Sequence, residues 1–115
     1  MTERAMQEPT RLLLTALADA PRHGYALIQE ISVISGGRVT MRAGTLYAAL
    51  DRLLDQGLIH VDRDEVVDGR ARRTYALSEP GRTLLAEETE RLRVLVAEAE
   101  RRLSVVRPIT RGAFA

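Results

Sequence analysis

The feature that most restricts the fold is a predicted helix from Ser78 to Val106, which contains no helix breaker after its first turn. At about 1.5 Å per residue such a helix would be about 40 Å long, too long to pack wholly on a domain of this size. Its apolar positions recur at heptad spacing, and the predicted stripe consists of Leu85, Leu92, Leu95, Val96, Ala99, Leu103 and Val106. Because the rest of the chain shows no second long helix, we expect this stripe to pair with another copy, which predicts a homodimer.

The predicted long helix has a clear start and a clear end in the sequence. Ser78 suits the N-cap position, where a hydroxyl can accept a hydrogen bond from a backbone N–H group. Pro108 should end the helix because a proline cannot donate to the preceding turn. We therefore expect residues 107–115, like residues 1–8, to form a flexible tail.

Three short helices are predicted upstream. Pro9 suits the first turn of the first helix, which should end before Pro21. The segment Arg22-His23-Gly24-Tyr25 opens the second, and Gly36-Gly37 closes it. The third covers Met41 to Gly57. Three short helices with tight connections follow the order of a helix-turn-helix unit.

The third predicted helix has two different faces. Leucines recur at helical spacing and predict a stripe that faces the core: Leu46, Leu50, Leu53 and Leu54. The other face begins with Gly44 and Thr45, followed by Tyr47. Small residues at a helix start allow another surface to approach the backbone closely, and the N–H groups there favour a phosphate. An ordinary surface helix explains the same residues equally well.

A β-hairpin is predicted after the third helix. The apolar period changes from helical to alternating after Gly57, and Asp68-Gly69 is typical of a two-residue hairpin turn. The return strand begins with three arginines, Arg70, Arg72 and Arg73. Acidic and basic residues balance over positions 62–73, so a solvated loop of mixed charge is an alternative to a basic surface. The predicted class is α+β, mostly α.

Composition excludes several functions. All 17 basic residues are arginine and are nearly balanced by 16 acidic residues, so the net charge of +1 does not by itself indicate nucleic acid. The chain has no cysteine, and its two histidines, His23 and His60, lie far apart, so we expect no metal and no cofactor. No nucleophile has a neighbouring base, so we expect no enzyme. No signal peptide or membrane-spanning run is present, which favours a cytoplasmic protein without a membrane partner.

Three strings in this order match a family pattern: His23-Gly24-Tyr25, Gly44-Thr45-Leu46-Tyr47, and Arg72-Arg73-Thr74-Tyr75-Ala76-Leu77-Ser78-Glu79-Pro80-Gly81. Together they resemble the PadR family of bacterial transcriptional regulators, in its short form with a single C-terminal helix. The resemblance implies a winged helix-turn-helix DNA-binding domain over residues 9–77 and a dimerisation helix over residues 78–106.

The resemblance also implies which residues bind DNA. Tyr25 would lie near a phosphate, and Thr45 and Tyr47 would lie in the major groove. The predicted β-hairpin would form the wing and would contribute its arginines. The expected DNA-binding set is Tyr25, Arg42, Gly44, Thr45, Tyr47, Arg70, Arg72 and Arg73. Arg42 stands where the family often has a serine, so an N-cap is lost and a cation is added. His23 either caps its helix or contacts DNA.

The expected function is that of a homodimeric repressor, which binds double-stranded DNA at a pseudo-palindromic operator and is released by an effector. The resemblance implies that a small-molecule effector would bind between the subunits. The predicted long helix offers no Trp or Phe to sandwich a flat aromatic compound. The alternative is a small-molecule sensor module that acts through protein contacts.

Overall fold

A computed structural model describes residues 6–114, with side chains up to residue 105. Its elements, in chain order, are α1 (Glu8–Ala16), β1 (Arg22–His23), α2 (Gly24–Ile34), α3 (Ala43–Asp55), β2 (Ile59–Val67), β3 (Arg70–Leu77) and α4 (Glu79–Phe114). The three strands form one antiparallel sheet in the order β1-β3-β2. This confirms the predicted three helices, hairpin and long C-terminal helix. In the described part of the chain, no helix is long and apolar enough to cross a membrane.

The core is formed by the first three helices and one end of the sheet. Its largest fully buried side chains are Leu13, Leu14, Leu17, Leu27, Ile31, Leu46, Leu50 and Leu53. The predicted stripe of α3 is confirmed, since three of its four leucines are fully buried and Leu54 packs against them at the edge. Gly44, Thr45 and Tyr47 are exposed on the other face. Burial of the leucine stripe therefore fixes which face of α3 is presented to the outside.

The start of the second helix differs from the prediction. Arg22 and His23 do not open α2 but form β1, which pairs antiparallel with β3. His23 has an extended backbone (φ −86°, ψ 168°), and its Nδ1 accepts a hydrogen bond from the Ala26 N–H at 3.3 Å. His23 is thus the cap of α2, one of its two expected roles. The Arg22 Nε donates to the Ala16 carbonyl at 2.7 Å, which joins the strand to the end of α1.

The hairpin turn is the predicted one. Asp68 and Gly69 both have positive φ (54° and 76°), as a two-residue turn of this kind requires. Outward from the turn, Glu65 pairs with Arg72 and Asp64 with Arg73. The register then shifts at a β-bulge between Val61 and Arg63.

α4 is capped as predicted but extends further. The Ser78 Oγ accepts a hydrogen bond from the Gly81 N–H at 3.1 Å and donates to the Gly57 carbonyl at 2.6 Å. The helix continues past Pro108 to Phe114, so the expected end at Pro108 is wrong. A proline removes one backbone hydrogen bond, and the turns on either side can still form. The protein's single phenylalanine therefore belongs to the helix, contrary to the sequence interpretation, although its side chain lies outside the described ones.

Candidate nucleic-acid interface

The N-terminal end of α3 has no side-chain cap. Arg42 occupies the N-cap position with an extended backbone (φ −77°, ψ 153°), and its side chain makes no hydrogen bond to the first turn. The side chain is exposed and has no ion-pair partner among the described residues. An uncapped first turn with a nearby cation can accept an anion such as a phosphate.

Gly44 has open space around it. A Cβ built at Gly44 would meet no atom within 4 Å, and its φ is not in the positive range. Within residues 6–105, each other glycine has either a positive φ or an atom too close to a Cβ. Nothing within the described chain therefore requires a glycine at position 44, and Thr45 beside it is also exposed.

Tyr47 connects two of the family strings. A Cβ built at Gly24 would lie 2.2 Å from the Tyr47 Oη and 2.7 Å from its Cζ, so the tyrosine ring lies directly against the Gly24 backbone. The ring is nevertheless 46% exposed. Gly24 is thus needed because α3 places a tyrosine against the start of α2, which is a contact that sequence spacing does not reveal.

An open groove brings five of the eight expected DNA-binding residues together. Its lining includes Tyr25, Tyr47, Arg70, Arg72 and Arg73. Tyr25 is 66% exposed at the first turn of α2. The other three, Arg42, Gly44 and Thr45, lie at the first turn of α3 and are not part of this lining. The expected set thus forms two exposed surfaces on one winged-helix unit.

The wing arginines are paired with carboxylates across the hairpin. The Arg73 Nε and NH2 atoms donate to the two Asp64 carboxylate oxygens at 2.9 and 3.3 Å. The Arg72 NH2 lies 3.8 Å from the Glu65 Oε2. The hydrogen bond from Arg73 lowers the pKa of Asp64, and the same bond raises the pKa of Arg73. Two of the three arginines that begin the return strand are therefore paired with acidic residues.

Two other arginines on the hairpin differ from this pattern. Among the described residues, neither Arg63 nor Arg70 has an ion-pair partner. Arg70 lies opposite Val67 at the turn, and Arg63 lies opposite Thr74 next to the bulge. Arg63 was absent from the expected set. Its position in the hairpin register could have identified it, because no acid lies opposite.

Most of the predicted dimerisation stripe lies in a second compact unit, which begins at Ala86. Leu95, Val96 and Leu103 are each more than half exposed, Ala99 is exposed and Leu92 is intermediate. Leu85 belongs to the first unit and packs against its core. The Val106 side chain lies outside the described residues. Two further exposed apolar side chains of α4, Val94 and Val105, lie outside the predicted stripe.

The described residues contain no group of three or more His, Asp or Glu side chains that could hold a metal ion. The expected DNA-binding residues of the first unit instead provide arginines, tyrosine phenols, a hydroxyl and an uncapped helix start. These groups can donate hydrogen bonds and positive charge to phosphates and base edges.

Three helices followed by a β-hairpin, with the third helix exposing a polar face beside the hairpin, define a winged helix-turn-helix protein. Residues 13–87 match the model of the transcriptional regulator PadR-like family. The chain belongs to this family, whose members are transcriptional regulators and not enzymes.

Relatives support this assignment. The transcriptional regulator Rv3488 of Mycobacterium tuberculosis is 44% identical over 86 residues, covering 75% of this chain and 77% of Rv3488. The crystal structure of a PadR family transcriptional regulator from Eggerthella lenta has 28% identity and a TM-score of 0.66, covering 83% and 80% of the two chains. Bacillus subtilis PadR, crystallised in complex with operator DNA, has 20% identity and a TM-score of 0.62 over 69% of this chain and 46% of its own. The last match shows a shared fold.

Proposed function

We propose that this protein binds double-stranded DNA sequence-specifically as a homodimer and represses transcription by occupying a pseudo-palindromic operator. The observation that carries the proposal is the exposed first turn of α3. It presents Gly44 and Thr45 outward, has no side-chain cap and has Arg42 at its start. A helix with a small, open and positively polarised N-terminal end suits insertion into a major groove.

The groove supplies a second set of contacts. Tyr25 and Arg70 are both exposed, and Arg70 has no ion-pair partner among the described residues. Both side chains are therefore available to phosphate oxygens on either side of the inserted helix. Phosphate contacts position a protein on DNA, whereas contacts to base edges specify the sequence. We assign base contacts to Thr45 and Tyr47 and phosphate contacts to Tyr25 and the wing. Bacillus subtilis PadR, which has the same fold, was crystallised with operator DNA.

The dimer is proposed from α4. Exposed apolar side chains such as Leu95 and Leu103 are costly to leave in water, and a second copy of α4 would cover them. Two winged-helix units in one dimer would read two half-sites about one helical turn apart. Release by a small-molecule effector between the subunits is the corresponding proposal for regulation.

The test is DNA binding to the region upstream of the protein's own gene. We expect a footprint on an inverted repeat, and stronger binding to that fragment than to random-sequence DNA. Thr45→Ala should weaken operator binding by about 1–3 kcal/mol, the value of one specific contact. Thr83→Ala, which removes the same exposed hydroxyl from α4, is the matched control and should bind normally. Equal binding of operator and random DNA by the wild type would refute sequence-specific recognition.

A further inference from the structure

The wing carries its own counter-charges. Asp64 and Glu65 are neighbours on β2, and each lies directly opposite one of the two neighbouring arginines of β3. The Asp64 pair has two hydrogen bonds, at 2.9 and 3.3 Å, and the Glu65 pair is a single contact at 3.8 Å. All four side chains remain partly accessible to solvent, so the pairs can open and exchange with other ions.

We propose that Asp64 and Glu65 act as internal competitors of DNA phosphates and thereby limit sequence-independent binding by the wing. This inference rests on the proposed function. Arg73 uses two of its N–H groups, on Nε and NH2, to bind Asp64, and an edge of this kind also binds a phosphate in a bidentate manner. Arg73 must therefore leave Asp64 before it can present this edge to a DNA phosphate.

The cost of that exchange lies in the charge that remains behind. When Arg73 turns to a phosphate, the Asp64 carboxylate is left unpaired within a few ångströms of another anion, well inside the Debye length of about 8–10 Å. Arg70 has no such competitor, because Val67 lies opposite it. At the tip of the wing, Arg70 can therefore bind a phosphate without first breaking an ion pair, whereas Arg72 and Arg73 cannot. Binding of these two arginines to DNA becomes favourable only at the operator, where α3 makes its contacts as well.

Asp64→Asn tests the inference most directly. The amide retains the size and one acceptor oxygen, whereas the charge and the second acceptor oxygen are lost. With a random-sequence duplex as the probe, we expect binding to become about 2–5-fold tighter, the factor that corresponds to an exposed ion pair. The slope of log affinity against log salt should become steeper by about 0.9, which corresponds to one additional phosphate contact. Glu65→Gln should give a smaller gain because its pair is longer.

Two controls make the result specific. Asp62→Asn removes the same charge from the same strand, but Asp62 lies in the bulge and no arginine is paired with it in the register. It should leave the salt slope unchanged. The double variant Asp64→Asn with Arg73→Gln should lose the gain, because the released arginine is absent.

The possible outcomes separate this inference from the proposed function. If the wild type binds neither the upstream fragment nor random DNA, the proposed function fails. If the wild type binds DNA but Asp64→Asn binds random DNA no more tightly, or gains no more than Asp62→Asn, competition by the carboxylate is refuted. Weaker binding by Asp64→Asn would also refute it, since Asp64 would then be a positioning residue that aims Arg73 at DNA.

Discussion

Gly44→Ala should move stability and operator binding in opposite directions. The new methyl group would enter open space on a helical backbone, so no atom within the described chain resists it. Alanine is favoured over glycine in a helix by about 0.5–1 kcal/mol, and less in the first turn. For a protein of this size, the interior-helix value corresponds to an increase in Tm of about 2–8 °C, and the first-turn value to a smaller increase.

The expected loss of DNA binding follows from the same open space. If the first turn of α3 approaches DNA closely enough to need a glycine, a methyl group pushes the helix outward and disturbs the contacts of Thr45. Loss of one such contact is worth about 1–3 kcal/mol, or roughly 5–150-fold in Kd. Thermal unfolding by circular dichroism and fluorescence anisotropy on the footprinted operator measure the two quantities. Protein concentration must be matched, because the Tm of a dimer depends on it.

Gly24→Ala is the contrasting variant. Its methyl group would lie 2.2 Å from the Tyr47 Oη, so the tyrosine must move. We therefore expect both stability and operator binding to fall. If Gly44→Ala is more stable and binds the operator like the wild type, the first turn of α3 does not approach DNA. If it is less stable, position 44 is not open and the reasoning fails at an earlier step.

Three further predictions concern stability and assembly. Leu50→Ala should reduce the free energy of unfolding by about 2–5 kcal/mol in urea titrations, because Leu50 is fully buried, and a loss below about 1 kcal/mol would contradict its place in the core. Replacing Leu92 and Leu95 together by glutamate should give monomers in sedimentation velocity, and a variant that remains dimeric would refute the α4 interface. The hydrogen bond from Arg38 lowers the pKa of Glu8 below its ordinary value of 4.5. The pair's contribution to the free energy of unfolding is therefore complete above pH 4.5 and is lost as the pH falls through the lower pKa of Glu8 in the folded protein. The difference in stability between wild type and Glu8→Gln should therefore shrink below pH 4.5, and a difference that is constant or grows on acidification would contradict the pair.

The helical part of the fold could be predicted because it depends on local periodicity. The α3 stripe of Leu46, Leu50 and Leu53 needs only the spacing of a helix and the burial of one face. β1 could not be predicted in this way, since two residues have no period and the strand exists only through its pairing with β3. The contact of Tyr47 with Gly24 is similarly non-local. The family strings indicated that both residues matter, but only the packing of α3 on α2 explains why.

The charge pairing of the wing follows from the hairpin register and not from the charge count. A two-residue turn at Asp68-Gly69 places Val67 opposite Arg70. Each step outward pairs the next two residues, and three steps further Asp64 faces Arg73. A count of charges over the hairpin shows only that acids and bases balance. The register determines which of the arginines are compensated, and the turn determines the register.

The bulge at Asp62 reconciles this register with the core. If the pairing imposed by the turn continued along the hairpin as far as the core, Asp62 would lie opposite Tyr75. The buried end of β3 would then face polar side chains. The observed pairs are instead Val61 with Tyr75 and Ile59 with Leu77, which need one extra residue in β2. Burial of a side chain such as Ile59, which is 2% exposed, is worth about 1.5–3 kcal/mol and favours this arrangement. The exposed Asp62 is the extra, unpaired residue, and it shifts the register of β2 by one position. The core end and the charged tip of the wing can therefore each keep the register that their own residues require.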